Sequence, residues 1–544
     1  MTDLESYFVD NYASLWALKF KKIKGKPTTF ISSSNPFKHR PWQQGILDDT
    51  HPNKVIEKSR QLGMSEIGLT EVLHFLVTNN GTKAMYIFPR DQQMLDFSKS
   101  RIAPVLRDSE YFHDIIDPVS NSVSTKKLKD SWLFMRSGWG SALGEGTDID
   151  FLAIDEYDRM KEGVELAFQE GLSSSKYGLI RRWSTPTIPG RGINGAINKS
   201  DQMRYIWTCE HCGTKQFLTF DDNMIQVNPK GVNPVTQEIE PNTFIIGCKK
   251  CKKPINRFGI GEWVPLYPSI RETRGYHISQ LDAAWITADS IMRRKFQYSS
   301  KQLFFNYVIG EPFASEGIRI TEEDLKAAIR LPKEIMSRTN TYVGIVAGID
   351  WGDVSYMVVL GLKPNGALDL LNMYTVQDDS RTPLKSVTYF CAILRAYQPN
   401  LIVADAGYGA DRNTYGYTQF PSSWFSCHWT TVKNPDSRIR FMDQWNESAH
   451  EVTVDKTVSI QRVLHTFKGR LIGLFPWSEK LSMLSLHLKN TVIMDEEEEG
   501  VVYQRATRTG ADHFACAVAY ALIGVNRLTN YNVKINSQFP VEFI

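Results

Sequence analysis

The chain has 544 residues, too many for one ordinary hydrophobic core, so two main domains with smaller attachments are expected. Hydrophobic residues at 42% and charged residues at 23% exclude a disordered chain, and no apolar run is long enough to span a bilayer. With 63 basic and 60 acidic residues the net charge is +3, a balance that neither requires nor excludes nucleic acid.

Met1 to Asp10 carries acids and no basic, apolar signal pattern, so the chain is expected to be soluble and to stay where it is made. Residues 1–30 read as an N-terminal arm: Tyr7, Phe8, Tyr12, Leu15, Trp16 and Leu18 form the aromatic face of a short helix ahead of the basic stretch Lys19 to Lys26. An α/β pattern follows over residues 31–330. Lys54 to Glu57, Ala84 to Phe88, Asp150 to Ile154 and Ile180 to Ser184 are short apolar strands separated by helical stretches, the signature of a buried parallel sheet. Residues 205–265 break that rhythm with cysteine pairs and turn residues and read as an inserted module, with helical and irregular sequence from there to about 330. The polar stretch 331–341, with Pro332, reads as a linker. A second α/β pattern occupies 342–525, with strands Val343 to Asp350, Tyr356 to Leu362 and Leu401 to Asp405 and a helix Ala511 to Ile523. The acidic run Asp495 to Glu499 reads as a solvated turn between strands, and 526–544 as a tail.

Three sites carry chemistry. The first begins at Lys58-Ser59-Arg60-Gln61-Leu62-Gly63-Met64-Ser65, which follows a strand and opens a helix. Against the phosphate-loop pattern, Gly63 fits the second glycine and Ser65 the magnesium-binding hydroxyl, while Met64 stands at the lysine position. An ordinary strand-to-helix turn is the plain alternative. The strand Asp150 to Asp155, followed by Glu156, supplies the complement: an Asp to help hold magnesium and a Glu to polarise water, both at a carboxyl strand end. Met64 brings no positive charge, so Lys58 and Arg60, on the same loop, are the candidates to supply it.

The second site is Cys209/Cys212 with Cys248/Cys251, two C-x-x-C knuckles that can close a structural tetrahedral zinc site; Cys391, Cys427 and Cys516 stand alone. The gap between the knuckles exceeds the usual roughly fifteen to twenty residues, so a hairpin with a long loop must fill it. Four incidental buried cysteines are the alternative, and His211, inside the first knuckle, reads as a surface residue.

The third is a set of acids: Asp350 and Asp405 end strands, and Asp512 opens a helix. Such acids can converge on a pair of magnesium or manganese ions for phosphodiester cleavage. Taken singly, Asp350 reads as a turn residue, Asp405 as a strand terminator and Asp512 as a helix cap. Asp353, Asp411 and His513 are second-rank ligands or supporting groups, and Lys433, Arg438, Arg440, Arg505 and Arg508 are candidates to line a DNA groove, or simply a solvated surface.

The string Ser59 to Ser65 resembles the deviant phosphate loop of phage large terminases, and the early lysine, Lys58, is similar to the lambda-type branch of that family. The likeness runs over about residues 35–525. It implies ATP bound by Lys58, Ser59, Arg60, Gln61, Leu62, Gly63, Met64 and Ser65, with Gln43 reading adenine and Ser65 and Asp155 on its magnesium. It makes Glu156 the catalytic glutamate and Ser184, Thr185, Pro186 and Thr187 the motif coupling hydrolysis to movement. The cysteine insertion, Gly275 to Ser279 and Phe305 to Pro312 also resemble this family. The ordered acids Asp350, Asp405 and Asp512 then belong to a ribonuclease-H-like nuclease. The fold class implied is α/β: a P-loop (RecA/ASCE-like) ATPase domain with an inserted zinc ribbon, then the nuclease.

The resemblance further implies ATP-driven movement of double-stranded DNA into a procapsid and metal-dependent cutting of concatemeric DNA. Cofactors would be ATP, Mg2+ or Mn2+, and Zn2+. Partners would be duplex DNA gripped mostly by its phosphates, the small terminase subunit, the portal and procapsid, and further copies in a ring, in the host cytoplasm and away from membranes. Two rivals stay open. One is a repair or transposition-type ATPase-nuclease without a capsid partner; the other is a non-catalytic zinc-bearing assembly protein, for which Met64 is the best argument.

Overall fold

The computed structural model describes residues 3–138, 146–160, 163–234, 236–298, 300–313, 319–378, 384–432, 443–498 and 501–529. The chain forms two compact units, Met1–Phe313 and Ala314–Ile544. The division falls ahead of the 331–341 stretch, whose first residue, Leu331, is buried in the core of the second unit.

The first unit opens with helices Asp3–Asn11 and Ala13–Phe20 and a small hairpin, β1 (Lys22–Ile23) and β2 (Lys26–Pro27). Trp16 is wholly buried, its ring edge-on to Tyr111 and Phe112, so this N-terminal segment is packed onto its unit. The main strands are β3 (Asn53–Lys58), β4 (Lys83–Phe88), β5 (Thr125–Leu128), β6 (Ser131–Ser137), β7 (Phe151–Asp155), β8 (Leu179–Ser184), β9 (Met203–Thr208) and β10 (Lys215–Gln216). Beyond them come β11 (Met224–Gln226), β12 (Phe244–Ile246), β13 (Glu262–Pro265) and β14 (Arg274–Ile278). They pair in the order β10-β9-β14-β3-β8-β7-β4-β6-β5, with β13 on β9 and β11 with β12 apart.

The centre, from β14 to β6, is parallel. That is why β7 reads as an unbroken apolar run: every one of its residues is buried, because helices cover both faces. Lys54 and Arg181 also lie inside this sheet, and both grip Glu71, at 2.8 and 2.7 Å, which offsets the cost of burying their charges. The sequence pattern missed β14. Its Gly275 and His277 do not look like a strand, yet it pairs in parallel with β3 beside the phosphate loop, where helical and irregular sequence was expected. The module at 205–265 is not a separate lobe, because β9 and β13 continue the main sheet.

The second unit contains β15 (Gly344–Asp350), β16 (Val354–Leu362), β17 (Leu368–Gln377), β18 (Leu401–Asp405), β19 (Trp424–Thr430), β20 (Gln444–Asn446), β21 (Glu451–Asp455), β22 (Ile472–Gly473), β23 (Thr491–Glu498) and β24 (Val501–Arg508). Eight of them form one mixed sheet in the order β20-β21-β19-β18-β15-β16-β17-β22. Strands β15 to β17 are an antiparallel meander, and β18 and β19 return parallel to β15. Helix His513–Thr529, buried from Phe514 to Val525, lies on β15. A side chain at Gly348 would collide with the backbone of Ala517 and Ala521, so glycine there lets the helix settle onto the strand. The acidic run is corrected: Asp495 to Glu498 belong to β23, paired with β24, where Tyr503 and Arg505 sit against the acids. Lys433, Arg438 and Arg440 lie outside the described residues.

Candidate functional site

In the first unit, β3 ends at Lys58 and helix Met64–Thr78 begins after the loop between them. Two positive φ angles, +68° at Gln61 and +78° at Gly63, turn the chain tightly enough to aim the helix N-terminus back across the strand end. The loop is pinned from outside. Ser59 N donates to Ile278 O (3.2 Å), Arg60 N to Tyr307 O (2.8 Å), Gln280 Nε2 to Arg60 O (2.9 Å) and Gln43 Nε2 to Leu62 O (2.9 Å). Met64 is buried in the core, so its side chain takes no part in the loop's outer surface.

Strand β7 brings its acids to the same place. Lys58 Nζ meets Glu156 Oε1 at 2.8 Å, and Asp155 lies beside the Ser65 hydroxyl. Tyr86, on β4, points its hydroxyl at Asp155 Oδ2 (3.3 Å). Burial, reinforced by the neighbouring Glu156, pushes the Asp155 carboxyl up to about 6 against the pull of Lys58. Burial also works to raise Glu156, but Lys58, with Arg159 and Arg60, overcomes it and holds that carboxylate below its usual range. Glu156 sits at φ +49°, a left-handed conformation that is costly for a glutamate and turns its side chain back toward the loop. The pocket thus gathers Lys58, Arg60, Ser65, Asp155 and Glu156. Ser59 Oγ, fully buried there, has no hydrogen-bond partner among the described residues. A helix N-terminus, two cations and a Ser-Asp pair suit a magnesium-bound polyphosphate.

Residues 184–187 leave β8 next to these acids. Ser184 Oγ reaches Glu156 Oε2 (3.5 Å) and accepts from Asp158 N (3.2 Å), and Thr187 Oγ1 donates to Asp158 Oδ2 (2.8 Å). The Thr187 carbonyl accepts from Asn306 Nδ2 (2.7 Å) and from Phe313 N (3.1 Å). The turn Phe305–Ile309 comes back to the loop as well: the Arg60 guanidinium stacks on the Tyr307 ring at 3.2 Å. Gly310, at φ +74°, lies against the loop so closely that a Cβ would stand 2.5 Å from Ser59 N. Sequence reasoning noted the string around Tyr307 and Gly310 but gave neither a place in the pocket. It missed Tyr86 altogether.

The four paired cysteines meet. Cys209 Sγ lies 3.7 Å from Cys251 Sγ and Cys212 Sγ lies 3.6 Å from Cys248 Sγ, with all four sulfurs within 4.8 Å of one another. Tetrahedral zinc with bonds of about 2.3 Å needs sulfurs roughly 3.8 Å apart, so the set fits. The two knuckles match: Gly213 N donates to Cys209 O and Lys252 N to Cys248 O, and each donor residue stands at positive φ. Gln216 Nε2 and Lys250 N donate to Cys248 Sγ, which suits a thiolate. His211 is exposed.

In the second unit, Ile349 pairs with Ala404 across the parallel strands β15 and β18. The next residues, Asp350 and Asp405, therefore stand side by side at the two strand ends, facing the same way. Asp512 joins them from the start of helix His513–Thr529, where its carbonyl accepts the first helical hydrogen bond, from Cys516 N. All three are buried to within a tenth of their surface. Burial, opposed by the His513 hydrogen bond and reinforced by Asp405 and Asp512, pushes Asp350 up to about 6. His513 Nδ1 holds Asp350 Oδ2 at 2.8 Å, with its ring stacked on Tyr356. Tyr520 OH donates to Asp405 Oδ1 (2.9 Å) and Tyr408 N to Asp405 Oδ2 (3.1 Å).

Among the described residues, the cysteines are the one set of three or more candidate ligands whose donor atoms lie that close together. The aspartates feel one another's charge without meeting at a point. Asp353 and Asp411 are exposed; Arg505 pairs with Glu496, and Arg508 Nη1 lies 4.0 Å from Asp512. Tyr520 had a signal that was overlooked: it follows Asp512 by two helical repeats of four and so shares its face.

Residues 31–259 match the family described as phage terminase large subunit gpA, ATPase domain. The terminase large subunit of Enterobacteria phage P21 is 25% identical over 201 residues, which are 34% of this chain and 31% of that protein; the match spans about a third of that relative's length. The crystal structure of the HK97 bacteriophage large terminase is similar at a TM-score of 0.57 and 10% identity, covering 95% of this chain and 99% of that one, a likeness of fold. Among the described residues no helix is long and apolar enough to cross a membrane.

Proposed function

We propose that this chain, a large terminase subunit whose first unit carries the family's ATPase domain, is a DNA-packaging motor that also cuts the DNA it packages. The observation that carries the reading is the convergence of Lys58, Ser65, Asp155 and Glu156 around the carboxyl ends of β3 and β7. Lys58 and Arg60 would neutralise phosphate oxygens, and Ser65 and Asp155 would hold magnesium. Bound magnesium supplies charge stabilisation to the phosphoryl group being transferred. Glu156, kept ionised by Lys58, would orient the attacking water. Loss of the terminal phosphate would change what Lys58 and Glu156 bind, and Ser184 to Thr187 lie in line to pass that change on.

The second unit would cut DNA. Its fold sets Asp350 and Asp405 on adjacent strands and Asp512 on the covering helix, three hard oxygen ligands suited to Mg2+ or Mn2+. Divalent ions there would stabilise the attacking and leaving oxygens of the phosphodiester. The four thiols would hold a structural zinc. Partners on this reading are duplex DNA, the small subunit, the portal of an empty procapsid and further copies of the chain in a ring, all in the host cytoplasm. The test is Glu156→Gln. It is expected to bind ATP while turnover falls below detection, and to leave DNA in empty heads open to added nuclease. Full turnover in this variant would refute the assignment.

A further inference from the structure

The loop that follows Asp405 presents an anomaly. Tyr408 is 81% exposed, yet both of its backbone polar groups are held by side chains. Its N–H donates to Asp405 Oδ2 (3.1 Å), and its carbonyl accepts from Arg412 Nη1 (3.1 Å). Arg412 is itself fixed, with Nη2 on Asp378 Oδ2 (2.9 Å) and on Gly352 O (3.3 Å). Asn413 Nδ2 holds Asp405 O (2.8 Å), while Asn413 Oδ1 accepts from the indoles of Trp351 and Trp424. One flanking glycine is demanded by space. A Cβ at Gly409 would collide with the Trp351 ring. A free surface tyrosine needs none of this. Here a large, rigid, amphipathic ring is held in water one loop away from the acids.

We propose that Tyr408 is a DNA contact, its ring packing against the sugar and base edge of a nucleotide next to the phosphate to be cut. The proposal rests on the nuclease reading of Asp350, Asp405 and Asp512. Two features of the geometry favour nucleic acid. An aromatic ring can pack on the sugar of any nucleotide, so the contact tolerates any sequence, as a motor's cutting site must. The backbone is ordered before binding, so little entropy is lost on contact. Because the same amide that fixes Tyr408 holds Asp405, a nucleotide packed against the ring is placed relative to the cutting centre and not merely bound.

Two measurements on the full chain test this. First, a duplex carrying 5-bromodeoxyuridine is irradiated with the protein in EDTA, and crosslinked peptides are identified by mass spectrometry. The peptide containing Tyr408 is expected among them in the wild type and in Asp350→Ala alike. Its absence, with other aromatic peptides crosslinked, overturns the proposal. Second, in Mn2+, Tyr408→Ala is expected to raise KM for duplex cleavage about tenfold, with kcat changed by less than about threefold, and Tyr408→Phe to restore KM. An unchanged KM in Tyr408→Ala overturns the proposal. So does a loss confined to kcat with weaker Mn2+ binding, because the loop would then only support the acids. If Asp350→Ala still cuts, the nuclease reading fails on its own, and the crosslink still decides whether Tyr408 touches DNA.

Discussion

Lys58 and Glu156, 98 residues apart in sequence, form an ion pair of 2.8 Å between the ends of β3 and β7, strands separated in the sheet by β8. The lysine is 8% exposed and the glutamate 27%, so water screens the pair only in part. Replacing Lys58 with methionine leaves a half-buried carboxylate without its partner. The expected cost is about 1–3 kcal/mol of stability. Turnover is expected to fall by roughly a hundredfold, read in a phosphate-release assay, because the pair supplies charge where phosphate oxygens would sit. Turnover within a few-fold of wild type would return the phosphate contact to Arg60 alone.

Gly310 gives a test independent of charge. Alanine there would carry a Cβ 2.5 Å from Ser59 N in a left-handed backbone, and backbone, unlike a flexible side chain, cannot step aside cheaply. Gly310→Ala is expected to weaken nucleotide binding tenfold or so and to cost about 1–3 kcal/mol in stability. Titration calorimetry with a non-hydrolysable ATP analogue reads the first. Wild-type affinity would show that the Phe305–Gly310 turn does not shape the loop.

Asp350→Ala and Asp512→Ala are expected to abolish Mn2+-dependent cleavage of supercoiled DNA while ATP turnover stays within about twofold of wild type, since the acids lie in the other unit. Metal-dependent nicking that survives either change removes that residue from the cutting centre.

For the cysteines, the purified protein is expected to carry one zinc per chain by elemental analysis. Cys248→Ser should lower both the zinc content and the midpoint of thermal unfolding, because β9 and β13, which flank the module, belong to the main sheet. A folded wild-type protein without zinc defeats the assignment.

His277 predicts a pH dependence. Burial, with Arg204 nearby, holds its imidazole well below the usual value, and its Nε2 lies 3.1 Å from Gly310 O. The unfolded chain takes up a proton near pH 6.5 while the folded one does not, so stability is full above about pH 6.5 and falls as the pH drops below it, by up to about 1.4 kcal/mol per unit. His277→Gln should flatten this dependence by one proton, measured as denaturation midpoints from pH 7 down to 5. An unchanged slope would mean that other groups carry the acid sensitivity.

Much of this architecture was legible because its strands are apolar runs ending in acids. The strands ending at Asp155, Asp350 and Asp405 all show it, and burial on both faces makes a short run of that kind hard to mistake. What stayed hidden follows from residues whose partners are remote. Strand β14 carries His277, a residue that neither pattern nor propensity assigns to a central strand; its neighbour β3 and the Gly310 carbonyl make the place acceptable. The acidic run Asp495 to Glu499 looks like a turn until Tyr503 and Arg505 are set opposite Glu496. The four cysteines were legible because their spacing encodes their geometry. The contacts of Tyr307, Tyr86 and Tyr520 were not, because a lone tyrosine's sequence context says little about where its hydroxyl will land.

The carbonyl of Thr187 holds both Asn306 and Phe313, and Phe313 closes the first unit. The strand end that, on the proposed reading, would sense the split nucleotide is thus hydrogen-bonded directly to the last described residue of the first unit. A shift of the Thr187 peptide plane would therefore be felt at once by Asn306 and Phe313: a drawbar built from two hydrogen bonds.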